Sequence, residues 1–149
     1  SVEDQEFSFR LSRDGHKMVF NPNAVVYHKH SASLKGYLRK KYKIAFWKAF
    51  LLKHHPGKVK TDTHTPQSLK IQMVLALPAL LGIAGPVYQP MYYVSALSLL
   101  IFLLSCIPFT SFALKRDPAV AFFAPAILFL RSIALSFGLG IGVIKHSKK

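Results

Sequence analysis

The chain has 149 residues, 20 Lys and Arg against 6 Asp and Glu, a formal net charge of +14, and 51% hydrophobic residues. The 44 residues from Ile71 to Leu114 contain no Asp, Glu, Lys or Arg, whereas the first seventy hold fourteen of the twenty basic side chains. Such a division excludes an ordinary water-soluble domain and places the chain on a membrane, and its single cysteine, Cys106, excludes an internal disulfide framework.

The acidic residues are scarce and clustered: Glu3, Asp4 and Glu6 lie within the first six positions. A short helix is predicted there, with acids in its first turn, where the helix dipole favours them, and Gly15 as its left-handed stop. Phe7 and Leu11, four apart, are expected to form its buried stripe. His16–Phe20 then reads as a strand, Asn21–Asn23 as a turn, and Ala24–His28 as a second strand. The order is helix, strand, turn, strand, an α/β arrangement.

From Ser33 to His54 the chain becomes a basic, aromatic helix. Ser33 is its N-cap, and Leu34, Leu38, Tyr42, Ala45 and Ala49 keep helical spacing. Lys35, Arg39, Lys40, Lys41, Lys43 and Lys48, with Phe46, Trp47 and Phe50, give the profile of a helix lying on a bilayer surface with its cations toward anionic lipid headgroups. Lysines interleaved with aromatics also suit single-stranded nucleic acid, but the adjoining apolar hairpin accounts for the charges without it, so no nucleic-acid partner is expected.

Residues 55–68, with two Pro, one Gly and three Thr from Pro56 to Pro66, read as an irregular linker. The membrane region is then 69–149. Span one is predicted at about 69–85, short and containing Pro78, and span two at about 91–114, joined by a turn through Gly85-Pro86 and Gln89-Pro90. The apolar stretch 119–144 is long enough to cross, but Arg131 near mid-bilayer would cost about 2.5–3.5 kcal/mol. A crossing would also carry Lys145, His146, Lys148 and Lys149 outward, against the charge rule, so a surface or re-entrant helix is expected. Among its glycines only Gly138 and Gly142 have the four-residue spacing of a close helix contact. By the positive-inside rule the N-terminal region is cytoplasmic, and the chain is expected to be a multi-pass protein of the plasma membrane.

Glu3-Asp4, the helix ending in Gly15, Val19-Phe20-Asn21-Pro22 and Ala24-Val25-Val26-Tyr27-His28, followed by a basic helix and membrane spans, together resemble the C-terminal part of the catalytic domain of a family 2 glycosyltransferase, a GT-A fold. The direct resemblance covers about residues 1–50. It implies a fold in which 1–54 closes an α/β catalytic domain, and an inverting transfer of sugar from a nucleotide diphosphate sugar to a glycan or lipid-linked acceptor, in cell-envelope or lipid-linked glycan synthesis. It implies Asp4 as general base, a role that inverting transfer needs because the acceptor hydroxyl loses its proton as it attacks. Glu3 is placed beside it in support of the acceptor site.

The resemblance further implies His28 as a ligand of a divalent metal, Mn²⁺ or Mg²⁺, on the donor diphosphate. The Asp-x-Asp motif that would supply the main ligands is absent from this sequence. Arg39 and Lys43 are candidates for binding phosphate or acceptor. The Gln-x-x-Arg-Trp motif of processive synthases is also absent, since Ile44, Ala45 and Phe46 precede Trp47, which favours single addition. With no nucleotide-binding half before Glu3-Asp4, the chain is expected to be a catalytically incompetent fragment. A non-enzymatic basic membrane-anchored interaction protein, in which the acids only decorate a helix terminus, and a transporter subunit stay open from sequence alone.

Overall fold

Local signals at the helix ends decide where the chain coils. In α1 (Glu3–Arg13) the first turn holds Glu3, Asp4 and Glu6. The helix stops at Gly15, whose φ of 83° no side chain opposes. His16 N donates to Leu11 O at 3.0 Å and Gly15 N to Ser12 O at 3.3 Å, the paired bonds of a Schellman end. The computed structural model describes residues 3–27, 33–54, 65–84, 86 and 88–147. Beyond α1 these form α2 (Leu34–His54), α3 (Gln67–Ala76), a 3₁₀ helix (Pro78–Ala84), α4 (Pro90–Leu114) and α5 (Pro118–Ser147).

Among the described residues there is no strand, so the expected α/β arrangement, the C-terminal part of a GT-A domain, is corrected to an all-helical one. The predicted turn does form. Asn23 N donates to Asn21 Oδ1 at 3.0 Å and Ala24 N to Asn21 O at 3.1 Å. What fails is the pairing on either side of it. Val19, Phe20, Val26 and Tyr27 are each more than four-fifths exposed, and no described backbone lies alongside to exchange hydrogen bonds. Residues with high strand propensity still need a neighbour, because a strand's N–H and C=O groups are satisfied only across a ladder.

The chain divides into two compact units, Ser1–Thr61 with Gly138–Lys149, and Asp62–Phe137. In the first, Ser33 caps α2: its Oγ accepts from Gly36 N at 3.2 Å and its carbonyl from Tyr37 N at 2.9 Å. One face of α2 is covered by the last turns of α5. A Cβ at Gly138 would collide with Tyr42 O, and one at Gly142 would lie 2.5 Å from Phe46 O and 2.8 Å from the Ala49 Cβ. Two glycines four apart therefore meet Ala45 and Ala49, both buried, backbone against backbone. His146 completes the contact, its ring 5.2 Å from Phe46 and 5.1 Å from Phe50, and Lys53 Nζ donates to the His146 carbonyl at 2.5 Å. The predicted stripe of Tyr42, Ala45 and Ala49 thus packs on protein.

In the second unit the predicted first span is two pieces. Pro78 lacks an N–H and clashes with the turn before it, so α3 ends at Ala76 and a 3₁₀ helix follows, opened by Leu80 N donating to Leu77 O at 3.0 Å. Ser95 Oγ of α4 donates to Ala79 O at 2.6 Å, and Gly82 lets that serine close in, since a Cβ there would stand 2.7 Å from it. Phe102, Cys106 and Leu128 form the buried core, with Phe129 edge-on to Phe102 at 5.2 Å. Asp117 starts α5, its Oδ1 accepting from Ala119 N at 2.9 Å and Val120 N at 3.2 Å, with Pro118 at the first helical position.

By length and composition α4 and α5 can each cross a membrane. At 1.5 Å per residue they are about 37 and 45 Å long, against a hydrocarbon core of about 30 Å. Residues 119–144, expected along the surface, lie in one unbroken helix. Arg131, whose cost argued against crossing, donates from Nη2 to Gln72 Oε1 at 2.9 Å.

The glycine contact generates a paired test. Gly142→Ala should lower stability by about 1–3 kcal/mol, the range for overpacking a filled contact. Gly140→Ala, which meets nothing within 4 Å, should leave it unchanged or raise it by up to about 1 kcal/mol through helix propensity. Thermal unfolding of the two variants in detergent, followed by circular dichroism, checks the difference; equal midpoints would remove the close contact.

Candidate functional site

On α1, residues three, four and seven apart share a face, and Glu3, Glu6, Phe7 and Arg10 have that spacing. Together with Trp47, Phe50 and Leu51 of α2 they line a cleft of about 560 Å³ in the first unit. Phe7, predicted as buried stripe, is 54% exposed and forms part of this wall. Glu6 and Arg10 pair across one turn, Nε to Oε1 at 2.9 Å, and the Arg10 guanidinium lies 5.9 Å from the Phe7 ring centroid. Both partners are solvent-exposed, so the pair adds little stability. It fixes instead where two of the cleft's charges sit.

The opposite wall is aromatic. Trp47 stands edge-on to Phe50 at 6.3 Å and to Phe46 at 5.5 Å, and Phe50 contacts the His54 ring at 4.2 Å. Trp47 remains 43% exposed and Phe50 38%. Broad ring surface facing a wall with two carboxylates and a guanidinium is chemically suited to a polyol. Ring faces take the apolar side of a pyranose, while carboxylates and guanidinium take its hydroxyls in charge-assisted hydrogen bonds.

The residues singled out from sequence fall in different places. Glu3 lines the cleft. Asp4 does not; it is exposed, about 100° round the helix from Glu3, and its main-chain carbonyl accepts from Ser8 Oγ at 2.7 Å. Arg39 and Lys43 are exposed and stand eight and four residues before Trp47, so they carry the cleft-facing side of α2 toward its N-terminus. His28, the expected metal ligand, lies outside the described residues, as do His30, His55 and His64. Among the described residues no group of three or more His, Cys, Asp or Glu could hold a metal ion. Glu3, Glu6 and Arg10 line the cleft with aromatic rings opposite.

Glu6, Arg10 and Phe50 had no site role from sequence. Their signal was present: positions 3, 6, 7 and 10 repeat at helical spacing, but the partner wall is more than thirty residues away in the chain. Comparison with protein-family models, with curated proteins and with solved structures finds no match for this chain.

Trp47 is the only tryptophan, so its fluorescence reports the cleft directly. Acrylamide should quench it with a Stern–Volmer slope between those of a free and a buried indole. A slope at the buried limit would mean that the aromatic wall is closed to ligands of any size.

Proposed function

We propose that this chain serves an inverting sugar transferase of the plasma membrane, with the cleft between α1 and α2 as its acceptor site. The observation that carries this reading is the pairing of Glu3 and Glu6 with the exposed faces of Trp47 and Phe50. The resemblance of Glu3-Asp4 and the following residues to a family 2 glycosyltransferase supports the same reaction. The acceptor sugar stacks on Trp47 and Phe50 with its hydroxyls toward Glu3 and Arg10. Asp4, exposed on the flank of the same first turn and not in the cleft lining, is the base that the resemblance implies for the attacking hydroxyl as the new bond to the anomeric carbon forms. The bond from that carbon to the donor diphosphate breaks on the opposite face, and the diphosphate leaves toward Arg39 and Lys43.

Charge and packing support one membrane arrangement. With α4 and α5 as the crossing helices and the α2 face cytoplasmic, as the fourteen basic residues before Ile71 favour, the shorter α3 and 3₁₀ helix do not cross and Lys115-Arg116 lie on the far side. Because Gly138, Gly142 and His146 pack on α2, the C-terminal end of α5 is on that same face. A cytosolic nucleotide diphosphate sugar is then the donor, and a glycan or lipid-linked acceptor is presented at the inner leaflet.

In the intact protein, Asp4→Asn should lower transfer by about 10²-fold or more while donor binding stays within twofold, since shape is kept and only the proton acceptor is lost. Trp47→Ala should instead raise the acceptor KM roughly five- to tenfold with kcat little changed. Transfer by Asp4→Asn above a tenth of wild type would remove Asp4 as base, and an unchanged acceptor KM in Trp47→Ala would remove the cleft as acceptor site.

Topology is checked separately. Single cysteines at Thr63 and Ser147, in a Cys106→Ser background, should react only with membrane-permeant thiol reagents. Labelling of position 63 by an impermeant reagent from outside would overturn the cytoplasmic assignment.

A further inference from the structure

Between Ile71 and Ile144 the only charged residues are Lys115, Arg116 and Asp117, at the junction of α4 and α5, and Arg131. Asp117 cannot neutralise Arg131. It stands fourteen residues earlier on the same helix, about 21 Å along its axis, and its Oδ1 is committed to capping Ala119 and Val120. Arg131 is therefore a partly buried cation in an apolar helical unit, and no carboxylate among the described residues faces it. A charge kept inside such a unit against its desolvation cost marks a functional position, and the partner it is held for is the question.

The side chain is aimed rather than stored. Gln72, buried in α3, accepts from Arg131 Nη2 at 2.9 Å through Oε1. The same amide donates from Nε2 to Ser105 Oγ at 3.2 Å, which orients its oxygen toward the guanidinium. Ser136 Oγ donates to the Met73 carbonyl at 2.7 Å, pinning α3 to α5 beside the pair. All of this engages one edge of the guanidinium with a neutral acceptor. Arg131 Nε is buried and makes no hydrogen bond. A planar fork with an unused buried donor and a charge that no described carboxylate compensates is complementary to an oxyanion, and phosphate oxygens match its geometry.

We propose that Arg131, held by Gln72, is the cationic half of an intramembrane anion site that binds a phosphate group. This does not rest on the transferase reading, since none of its residues belongs to the cleft. The phosphate is either the headgroup of a membrane lipid or a free ion, and one experiment distinguishes them. The full chain is placed in phosphatidylcholine nanodiscs and titrated in one arm with phosphatidic acid carried in the disc and in the other with inorganic phosphate, at high salt so that the surface lysines are screened. Binding is read by ³¹P NMR for wild type, Arg131→Gln, Arg131→Lys, Gln72→Leu and, as the surface control, Lys115→Gln.

Wild type and Lys115→Gln should bind alike. Arg131→Gln should weaken binding by roughly tenfold or more, and Gln72→Leu and Arg131→Lys, which lose the aim and the fork respectively, should fall between. Binding in the phosphatidic acid arm assigns a lipid phosphate, and binding in the inorganic phosphate arm alone assigns a soluble one. Should Arg131→Gln lose helicity by circular dichroism, Arg131→Lys and Gln72→Leu carry the test. Binding by all folded variants equal to wild type in both arms, or no binding by wild type in either, overturns the site.

Discussion

The structure of the first unit turns on how closely two backbones approach. Gly138 and Gly142 present no side chain to α2, and Ala45 and Ala49 present only methyl groups, so the helices meet where ordinary side chains would hold them apart. That approach uses one side of α2 completely. Trp47, Phe50 and Leu51 meet α1, and the rings of Trp47 and Phe50 also touch His146 of α5 at their edge of that contact. A helix that looks, by composition, like a cationic float on a bilayer is thus two-faced: small residues bind it to α5 and large aromatics build a cleft. Its lysines lie between and beyond these faces.

Much of the helical skeleton was legible because helix ends are written locally. Gly15 ends α1 and Ser33 opens α2, each within four residues of the groups it satisfies. The Asn21–Asn23 turn is local in the same sense and forms. The strands around it were read from residue type, and residue type supplies only half of a strand. Val19, Phe20, Val25 and Val26 would suit a sheet, but no described segment supplies the second row of donors and acceptors, so they stand exposed. The same distinction applies to the cleft. The stripe of Glu3, Glu6, Phe7 and Arg10 could be found in eight consecutive residues, whereas its aromatic wall is a tertiary fact.

Several hydroxyls of the apolar helices follow one rule, although Thr110 Oγ1 of α4 is buried with no hydrogen-bond partner among the described residues. Ser132 Oγ donates to Leu128 O, Ser105 Oγ to Phe102 O and Ser95 Oγ to Ala79 O, each hydroxyl satisfying itself on a nearby carbonyl. This is how hydroxyls are carried in lipid at low cost, and it explains why they left no mark on the spans as read from sequence. Gln72 departs from the pattern. Its amide spans three helices, contacting Arg131 of α5 and Ser105 of α4 from α3. From sequence Arg131 counted as a penalty against crossing; with Gln72 beside it, the penalty falls on a pair rather than on a bare ion.

The broken first span belongs to the same account. A continuous helix through Pro78 would have carried α3 onward at 1.5 Å per residue; the 3₁₀ helix that replaces it rises about 2.0 Å per residue and turns its side chains by a different angle. Gln72 is on the α side of the break, where it reaches Arg131, and Gly82 is on the 3₁₀ side, where its missing side chain admits Ser95. Two different requirements, a long polar side chain that reaches α5 and a close backbone approach to α4, are met by one short segment because both halves pack on α4 and Pro78 lets them do so with different helical geometry.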